Sequence, residues 1–154
     1  MYEIDPSRPE IVAFMAAASA ALGQTLTSPK DIFQFGDSPA IADELLLLAI
    51  QGKKTATMTW PVPDPLFWDI GDLSVILDGQ GKPRALMRTT SMVRRRFCDV
   101  DQDFAAAEAE GDYETWRTGH IAYFQRQKEK EEFTEDSEVL CERFEVIYLA
   151  DNCR

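Results

Sequence analysis

Two apolar runs separated by a glycine-containing turn constrain the fold of this chain more than any other feature. Residues 73–77 and 84–90 have strand-like composition, and the Asp-Gly-Gln-Gly segment at residues 78–81 is typical of a β-hairpin turn. Residues 92–97 continue this strand or add another, and residues 139–149 form a closing strand. We therefore predict an α+β fold, a small and mostly antiparallel β-barrel flanked by helices.

Helical periodicity precedes these strands. Residues 7–10 have the form of a capping box, and the apolar residues that follow recur at helical spacing until Gly23. A second helix is capped by Asp37 or Ser38 and ends before Gly52. It is so apolar that we expect it to be covered on more than one side.

Two further helices are predicted after the hairpin. Asp101 or Asp103 caps a short helix over residues 104–110. Asp112 caps a longer helix, and the charged residues 128–132 form its solvated end.

Two short strands and one loop complete the prediction. Residues 32–35 and 54–60 have strand-like patterns, and three prolines make residues 61–69 a loop. Within that loop, Phe67 and Trp68 form either a packed lid or an exposed stacking surface. The sequence contains no repeat and no linker, so we expect one domain over residues 1–154.

The charge distribution argues for a local rather than an extended anionic ligand. The formal net charge is -11, which disfavours a protein that grips long nucleic acid. Residues 52–98, however, are basic overall, and a basic segment in an acidic chain suggests a positive site for an anionic or electron-rich ligand. Arg94, Arg95 and Arg96 within it form either a solvated face or a phosphate contact.

The cysteines and histidine exclude several site types. The three cysteines have no C-x-x-C spacing, which fits free thiols in a reducing compartment. His120 is the single histidine, so a multi-histidine metal site is excluded, and no cofactor is predicted, although a divalent metal remains open. The first residues are acidic and no apolar run reaches membrane-spanning length, so we expect a cytoplasmic protein without a membrane partner.

Residues 52–60 are the most informative candidate for a functional site. Gly52, Lys53 and Lys54 end the second helix and open a strand with alternate threonines. Such junctions on a rigid scaffold often carry binding or catalytic groups, but two lysines are also typical of an ordinary solvated helix end. On a regular strand Lys54 and Thr57 face opposite sides, so Lys54 must lie in the turn before the strand, or a bulge must intervene, if both line one cavity.

Acidic residues and His120 provide possible partners for these lysines. Glu108 and Glu110 stand at the end of the short helix, where either projects inward or is simply solvated. A carboxylate with a raised pKa can act as an acid or base near neutrality. His120 lies on the apolar stripe of its helix, where a hydrogen-bonded core histidine is the usual role.

These residues together resemble the ASCH domain family, whose members have a PUA-like β-barrel. Gly52-Lys53-Lys54-Thr55-Ala56-Thr57 has the family's Gly-x-Lys-x-x-Thr form, and further matches follow in the family's order. The resemblance runs from about residue 32 to residue 149, and the first helix, residues 7–23, lies outside it. The further matches are Phe33, Phe35, Gly71-Asp72, Gly81-Lys82-Pro83, Phe97, Asp99-Val100, residues 105–111, Trp116, His120, Tyr123-Phe124 and Phe144-Glu145.

The resemblance implies a ligand and two activities. It implies RNA or a nucleoside as partner, and either hydrolysis of N4-acetylcytidine or cleavage of single-stranded RNA. The family's catalytic lysine, threonine and glutamate then correspond to Lys54, Thr57 and Glu108. The residues expected to bind the substrate around them are Lys53, Thr55, Trp60, Trp68, Glu110, Trp116 and His120.

Two departures from the family pattern leave alternatives open. The family usually shows Glu-Gly where this chain has Glu-Ala-Glu-Gly, so either Glu108 or Glu110 is the catalytic carboxylate. Trp60 lies near a position where some members have arginine. We therefore expect a hydrolase acting on RNA or a modified cytidine, with a non-catalytic RNA-binding module as the alternative; no protein partner is predicted.

Overall fold

The computed structural model of the protein describes residues 4–127 and 129–151. In this part of the chain, helices and strands alternate before the hairpin, and two helices separate the hairpin from the last strand. The elements in order are α1 (Pro9–Leu22), β1 (Asp31–Phe33), α2 (Pro39–Ile50), β2 (Ala56–Thr59), β3 (Leu73–Leu77), β4 (Pro83–Arg96), a 3-10 turn (Phe97–Asp99), α3 (Gln102–Glu108), α4 (Tyr113–Arg126) and β5 (Glu138–Leu149).

The strands form one curled half-barrel sheet in the order β1-β3-β4-β5-β2. β1 and β3 are parallel, and the other three neighbouring pairs are antiparallel. The prediction of a mostly antiparallel PUA-like barrel with flanking helices is therefore confirmed. The long hairpin strand β4 includes both predicted segments, because its apolar and arginine-rich halves pair with β5 along one ladder.

The helices cover the sheet in three hydrophobic clusters. α1 packs on β1, β3, β4 and the second half of β5 through Ile11 and Phe14. α2 covers the opposite face through Leu45 and Leu46, where Phe144 is also buried. α3 and α4 pack against β2 and the first half of β5, and Trp116 is buried in this third cluster.

Several element boundaries differ from the prediction for local reasons. The first helix has no capping box, because Arg8 is its N-cap residue and no side chain caps it. β2 begins at Ala56 rather than at residue 54. α3 ends at Glu108, since Ala109 takes a left-handed conformation with φ of 61°. α4 ends at Arg126, so described residues 129–132 do not form a helix end; Lys128 lies outside the described residues.

Two of the three cysteines are described, and both are free thiols. Cys98 is exposed and Cys141 is buried, whereas Cys153 lies outside the described residues. Burial raises the pKa of the Cys141 thiol to about 12. Among the described helices, none combines the length and the apolar character that crossing a lipid bilayer requires.

Candidate functional site

Lys54 lies in the turn between α2 and β2, as predicted, although Thr57 does not share its cavity. The backbone N–H groups of Lys53 and Lys54 both donate to the Leu48 carbonyl, at 2.9 and 3.0 Å, and this tight turn directs the Lys54 side chain inward. The side chain is 1% exposed. Its Nζ donates to the Ala56 carbonyl at 2.8 Å and lies 5.1 Å from the centre of the Phe35 ring.

The end of α3 carries the two carboxylates that face this ammonium group. The Thr55 N–H donates to the Ala107 carbonyl at 2.8 Å, which ties the last turn of α3 to the start of β2. Lys54 Nζ then lies 3.9 Å from Glu108 Oε1 and 3.8 Å from Glu110 Oε2. The Glu108 side chain is 2% exposed and that of Glu110 is 29% exposed, so Glu110 stands at the mouth of the cluster.

α4 contributes Trp116 and His120, one helical turn apart on the same face. The Trp116 indole N–H donates to Glu108 Oε2. His120 Nε2 lies 3.3 Å from Glu108 Oε2 and 3.5 Å from Glu110 Oε2. His120 Nδ1 lies 2.8 Å from the Trp116 carbonyl, to which only a protonated Nδ1 can donate.

The pKa values of the three titratable partners shift in different directions. Burial opposes ionisation of Glu108, but the His120 hydrogen bond and the Lys54 charge outweigh it and lower the pKa of Glu108. Burial also opposes protonation of His120, yet Glu108 and Glu110 raise the pKa of His120 above its ordinary value. Burial raises the pKa of Glu110, and the nearby charges of Lys54 and His120 offset this only in part. The cluster therefore holds an ionised inner carboxylate and a more basic outer one.

The same three residues have the spacing of a metal site. One ligand atom from each of Glu108, Glu110 and His120 lies within 4.8 Å of the others. Carboxylate oxygens with one imidazole suit a divalent cation. The Lys54 ammonium lies within 4 Å of both carboxylates, however, so it already supplies positive charge at this position, and a metal ion would compete with it.

Thr57 lies apart from this cluster. Ala56 and Met58 pack in the cluster with α3 and α4, so alternation along β2 directs Thr57 to the other face. There it is the direct strand partner of Glu142 in β5. In the described part of the chain, no hydrogen bond joins Thr57 to Lys54 or Glu108, and its catalytic role stays a prediction.

Glu142 is a buried acidic residue that the sequence reasoning missed. It is 3% exposed, accepts a 2.6 Å hydrogen bond from the Thr89 hydroxyl and accepts another from the Trp68 side chain. Burial raises the pKa of Glu142, and these two hydrogen bonds offset this only in part. A glutamate in the middle of an apolar closing strand was the signal that could have identified it.

The other predicted binding residues occupy varied positions. Trp68 is buried, as the packed-lid alternative predicts, whereas its neighbour Phe67 is 42% exposed, as the exposed-surface alternative predicts. Trp60 packs on Phe124 and Phe133. Trp116 stacks between Phe97 and Tyr113, so protein rings cover both faces of its indole. Lys53 is exposed.

An open groove borders the turn that carries Lys54. It has a volume of about 630 Å³ and runs between the ends of α1 and α2 and the second half of β5. Gly52, Lys54 and Thr55 lie at its lining, with Phe144 and Glu145 from β5. A ligand in this groove would approach the turn that carries Lys54.

Comparisons with known proteins agree on the fold. The ASCH domain family model matches residues 31–148, which leaves α1 outside the matched region. A protein from Enterococcus faecalis has 27% sequence identity and a TM-score of 0.83, over 93% of this chain and 91% of that one. An ASCH domain from Lactobacillus crispatus has 24% identity and a TM-score of 0.80, over 92% of this chain and 96% of that one. No curated protein sequence matches the chain.

Proposed function

The chain belongs to the ASCH domain family, whose members generally bind RNA, and we propose that it is a hydrolase acting on RNA or an acylated cytidine. The observation that carries the proposal is the buried Lys54 ammonium held between Glu108 and Glu110. A preorganised cation in a site with little water stabilises negative charge that develops during a reaction. Of the three residues predicted as catalytic, Lys54 and Glu108 lie in this cluster and Thr57 lies on the other face of β2.

For an acylated cytidine the reaction is amide hydrolysis. Water attacks the acyl carbonyl carbon and gives its proton to Glu110, the more exposed carboxylate and the one with the raised pKa. Lys54 stabilises the resulting oxyanion. The carbon–nitrogen bond then breaks, the leaving nitrogen takes a proton from His120, and Glu110 returns its proton to His120. Glu108, fully engaged by Trp116 and His120, holds the lysine and the imidazole in place.

For single-stranded RNA the same groups serve phosphoryl transfer. Glu110 accepts the proton of a 2′-hydroxyl, whose oxygen attacks the adjacent phosphorus while the 5′-oxygen leaves with a proton from His120. Lys54 stabilises the charge on the phosphoryl oxygens. Thr57 lies on the other face of β2, beside Glu142, so neither reaction is assigned a step at its hydroxyl.

One observation favours the alternative of a non-catalytic RNA-binding module. Lys54 donates to the Ala56 carbonyl and contacts both carboxylates, so the cluster also joins the turn before β2 to the end of α3. A purely structural ion pair would have these contacts. In that case RNA binding would depend on salt, and no product would form.

The test compares two adjacent lysines with opposite burial. The chain and its Lys54→Met and Lys53→Met variants are incubated with N4-acetylcytidine and with a single-stranded RNA, with and without a chelator. We expect product from one substrate, and a loss of about 10²–10³-fold in kcat for Lys54→Met because one oxyanion-stabilising donor is removed. Lys53→Met, at an exposed position outside the cluster, should retain kcat within about twofold, so that any effect of a lost binding contact falls on KM.

Two results would contradict the proposal. One is turnover by Lys54→Met at the rate of the unaltered chain. The other is that the unaltered chain forms no product from N4-acetylcytidine and none from RNA, which would favour the alternative of a non-catalytic RNA-binding module. Because Lys54 is buried, thermal unfolding is measured in parallel, and Glu110→Gln, at the partly exposed outer carboxylate, provides a second variant that should also lose turnover.

A further inference from the structure

Most of the described arginines in this acidic chain form ion pairs with carboxylates, and two do not. Seven of the nine described arginines have a carboxylate within 4.0 Å of a side-chain nitrogen. Among residues 4–127 and 129–151, no carboxylate lies within this distance of Arg95 or Arg143. The paired residues and their partners are Arg8 with Glu10, Arg84 with Asp78, Arg88 with Glu145, Arg94 with Glu138, Arg96 with Asp99 and Asp136, Arg117 with Glu135, and Arg126 with Asp37.

Strand alternation separates Arg95 from its two neighbours. Arg94 lies 3.0 Å from Glu138, and Arg96 lies 3.0 Å from Asp99, so both charges on that face of β4 are neutralised. Arg95, between them, projects from the opposite face. The two alternatives predicted for this arginine run therefore apply to different residues. Arg94 and Arg96 form a solvated, ion-paired face, whereas the Arg95 guanidinium is available for a phosphate contact.

Arg95 and Arg143 line the same concavity. It has a volume of about 70 Å³, roughly that of two water molecules in the liquid. Ser91 is the strand partner of Arg143, and Val93 and Cys141 form the pair between Ser91 and Arg95. The two arginines thus flank a small apolar floor with a hydroxyl at one end.

The remaining groups leave these arginines free to bind a ligand. The Arg143 guanidinium lies over the Phe104 ring, 5.6 Å from its centre, and this contact restrains it without neutralising its charge. Asp101 is the acidic residue in the lining, and its carboxylate already accepts the Phe104 N–H at 2.9 Å as the cap of α3. The concavity therefore offers planar cationic donors and is too small for a nucleobase.

We propose that Arg95 and Arg143 bind a phosphate group carried by a nucleotide or an RNA strand. Guanidinium groups match phosphate oxygens with paired N–H donors, and the Ser91 hydroxyl can add another. Arg143 is the strand partner of Ala56, two residues after Lys54, so the phosphate would lie beside the strand that begins at the lysine cluster. This site goes beyond the proposed hydrolase activity and does not require it.

The experiment uses two double variants that remove the same charge. Arg95→Gln/Arg143→Gln is compared with Arg94→Gln/Arg96→Gln, and binding of a labelled single-stranded RNA is measured by fluorescence anisotropy from 25 to 200 mM salt. We expect the first variant to bind at least tenfold more weakly. The slope of log affinity against log salt should fall by about 0.7, the value for one phosphate contact on a single strand. The second variant should keep the slope.

Competition with small ligands distinguishes the possible phosphate sources. Inorganic phosphate, cytidine 5′-monophosphate and cytidine are each titrated against the RNA complex. Competition by the monophosphate but not by cytidine supports the site and indicates a terminal phosphate. Loss of RNA affinity without competition by the monophosphate also supports it and indicates a phosphodiester. The single variant Arg95→Gln, at an exposed position, should show a smaller loss of RNA affinity in the same direction. This variant shows that the loss does not result from misfolding caused by Arg143→Gln.

Three outcomes would overturn the inference: equal losses in the two double variants, no loss in either, or no binding of RNA or phosphate by the unaltered chain. Equal losses would mean that net charge alone governs binding. Failure of the proposed hydrolase activity is a separate result, because turnover is measured as product formed by the unaltered chain, whereas this inference is measured as RNA binding by the two double variants.

Discussion

Replacing Glu108 with glutamine removes one charge from the centre of the buried cluster without changing its volume. The carboxylate is 2% exposed and lies next to Lys54 and His120, so the variant leaves their positive charges with Glu110 as the single anionic partner. Removing one partner of a buried ion pair costs about 3–5 kcal/mol. We expect the low end, about 3 kcal/mol, because Glu110 still faces Lys54 and the glutamine oxygen can still accept from Trp116.

Urea unfolding at pH 7.5 measures this loss. The midpoint should fall while the slope with denaturant stays constant, since the variant exposes no additional surface on unfolding. For a chain of this length, a loss of about 3 kcal/mol lowers Tm by about 6–12 °C. The matched control is Glu145→Gln, whose exposed pairing with Arg88 at 3.5 Å should contribute at most about 1 kcal/mol. Equal losses in the two variants would refute the reasoning that burial makes the Lys54 cluster different.

Two further predictions concern pH. His120 has a raised pKa, so its stabilising contribution is fully present below about 6.5 and is lost as pH rises through the raised value. The free energy of unfolding, measured in urea from pH 5.5 to 9, should therefore fall as pH rises, and His120→Gln should reduce this dependence on pH. The same pH dependence in both proteins would contradict the pairing of His120 with Glu108. Glu142 has a raised pKa, so its ionisation opposes folding as pH rises. Glu142→Gln should gain stability relative to the unaltered chain between pH 5 and 8, opposite to Glu108→Gln, and a loss would contradict this.

Local signals in the sequence determined most of the secondary structure. The hairpin followed from two apolar runs and a turn, and β3 has the predicted bounds because its five residues are all buried. Ser38, Asp101 and Asp112 cap their helices, as expected for short acceptors that bind the first free N–H groups. The family assignment also came from the sequence, since it rests on residue types in a fixed order.

Other local signals were misleading, because neighbouring groups compete. The capping box at residues 7–10 did not form, since Asp5 accepts the Ser7 hydroxyl that would have capped the helix. The short helix ends at Glu108 instead of residue 110, because Ala109 turns the chain and lets the two glutamates converge on one ammonium group.

The sequence alone identified Lys54, Glu108, Glu110 and His120 as candidates, since their residue types and spacing are local properties. Only the tertiary structure decided that these four converge, because Lys54, in the turn before β2, contacts glutamates more than fifty positions later in the chain. It also separated Thr57 from them, because alternation on β2 directs Thr57 toward Glu142. Pairing across strands likewise determined which arginines are neutralised. Distances between elements depend on packing, and no single segment of sequence encodes packing.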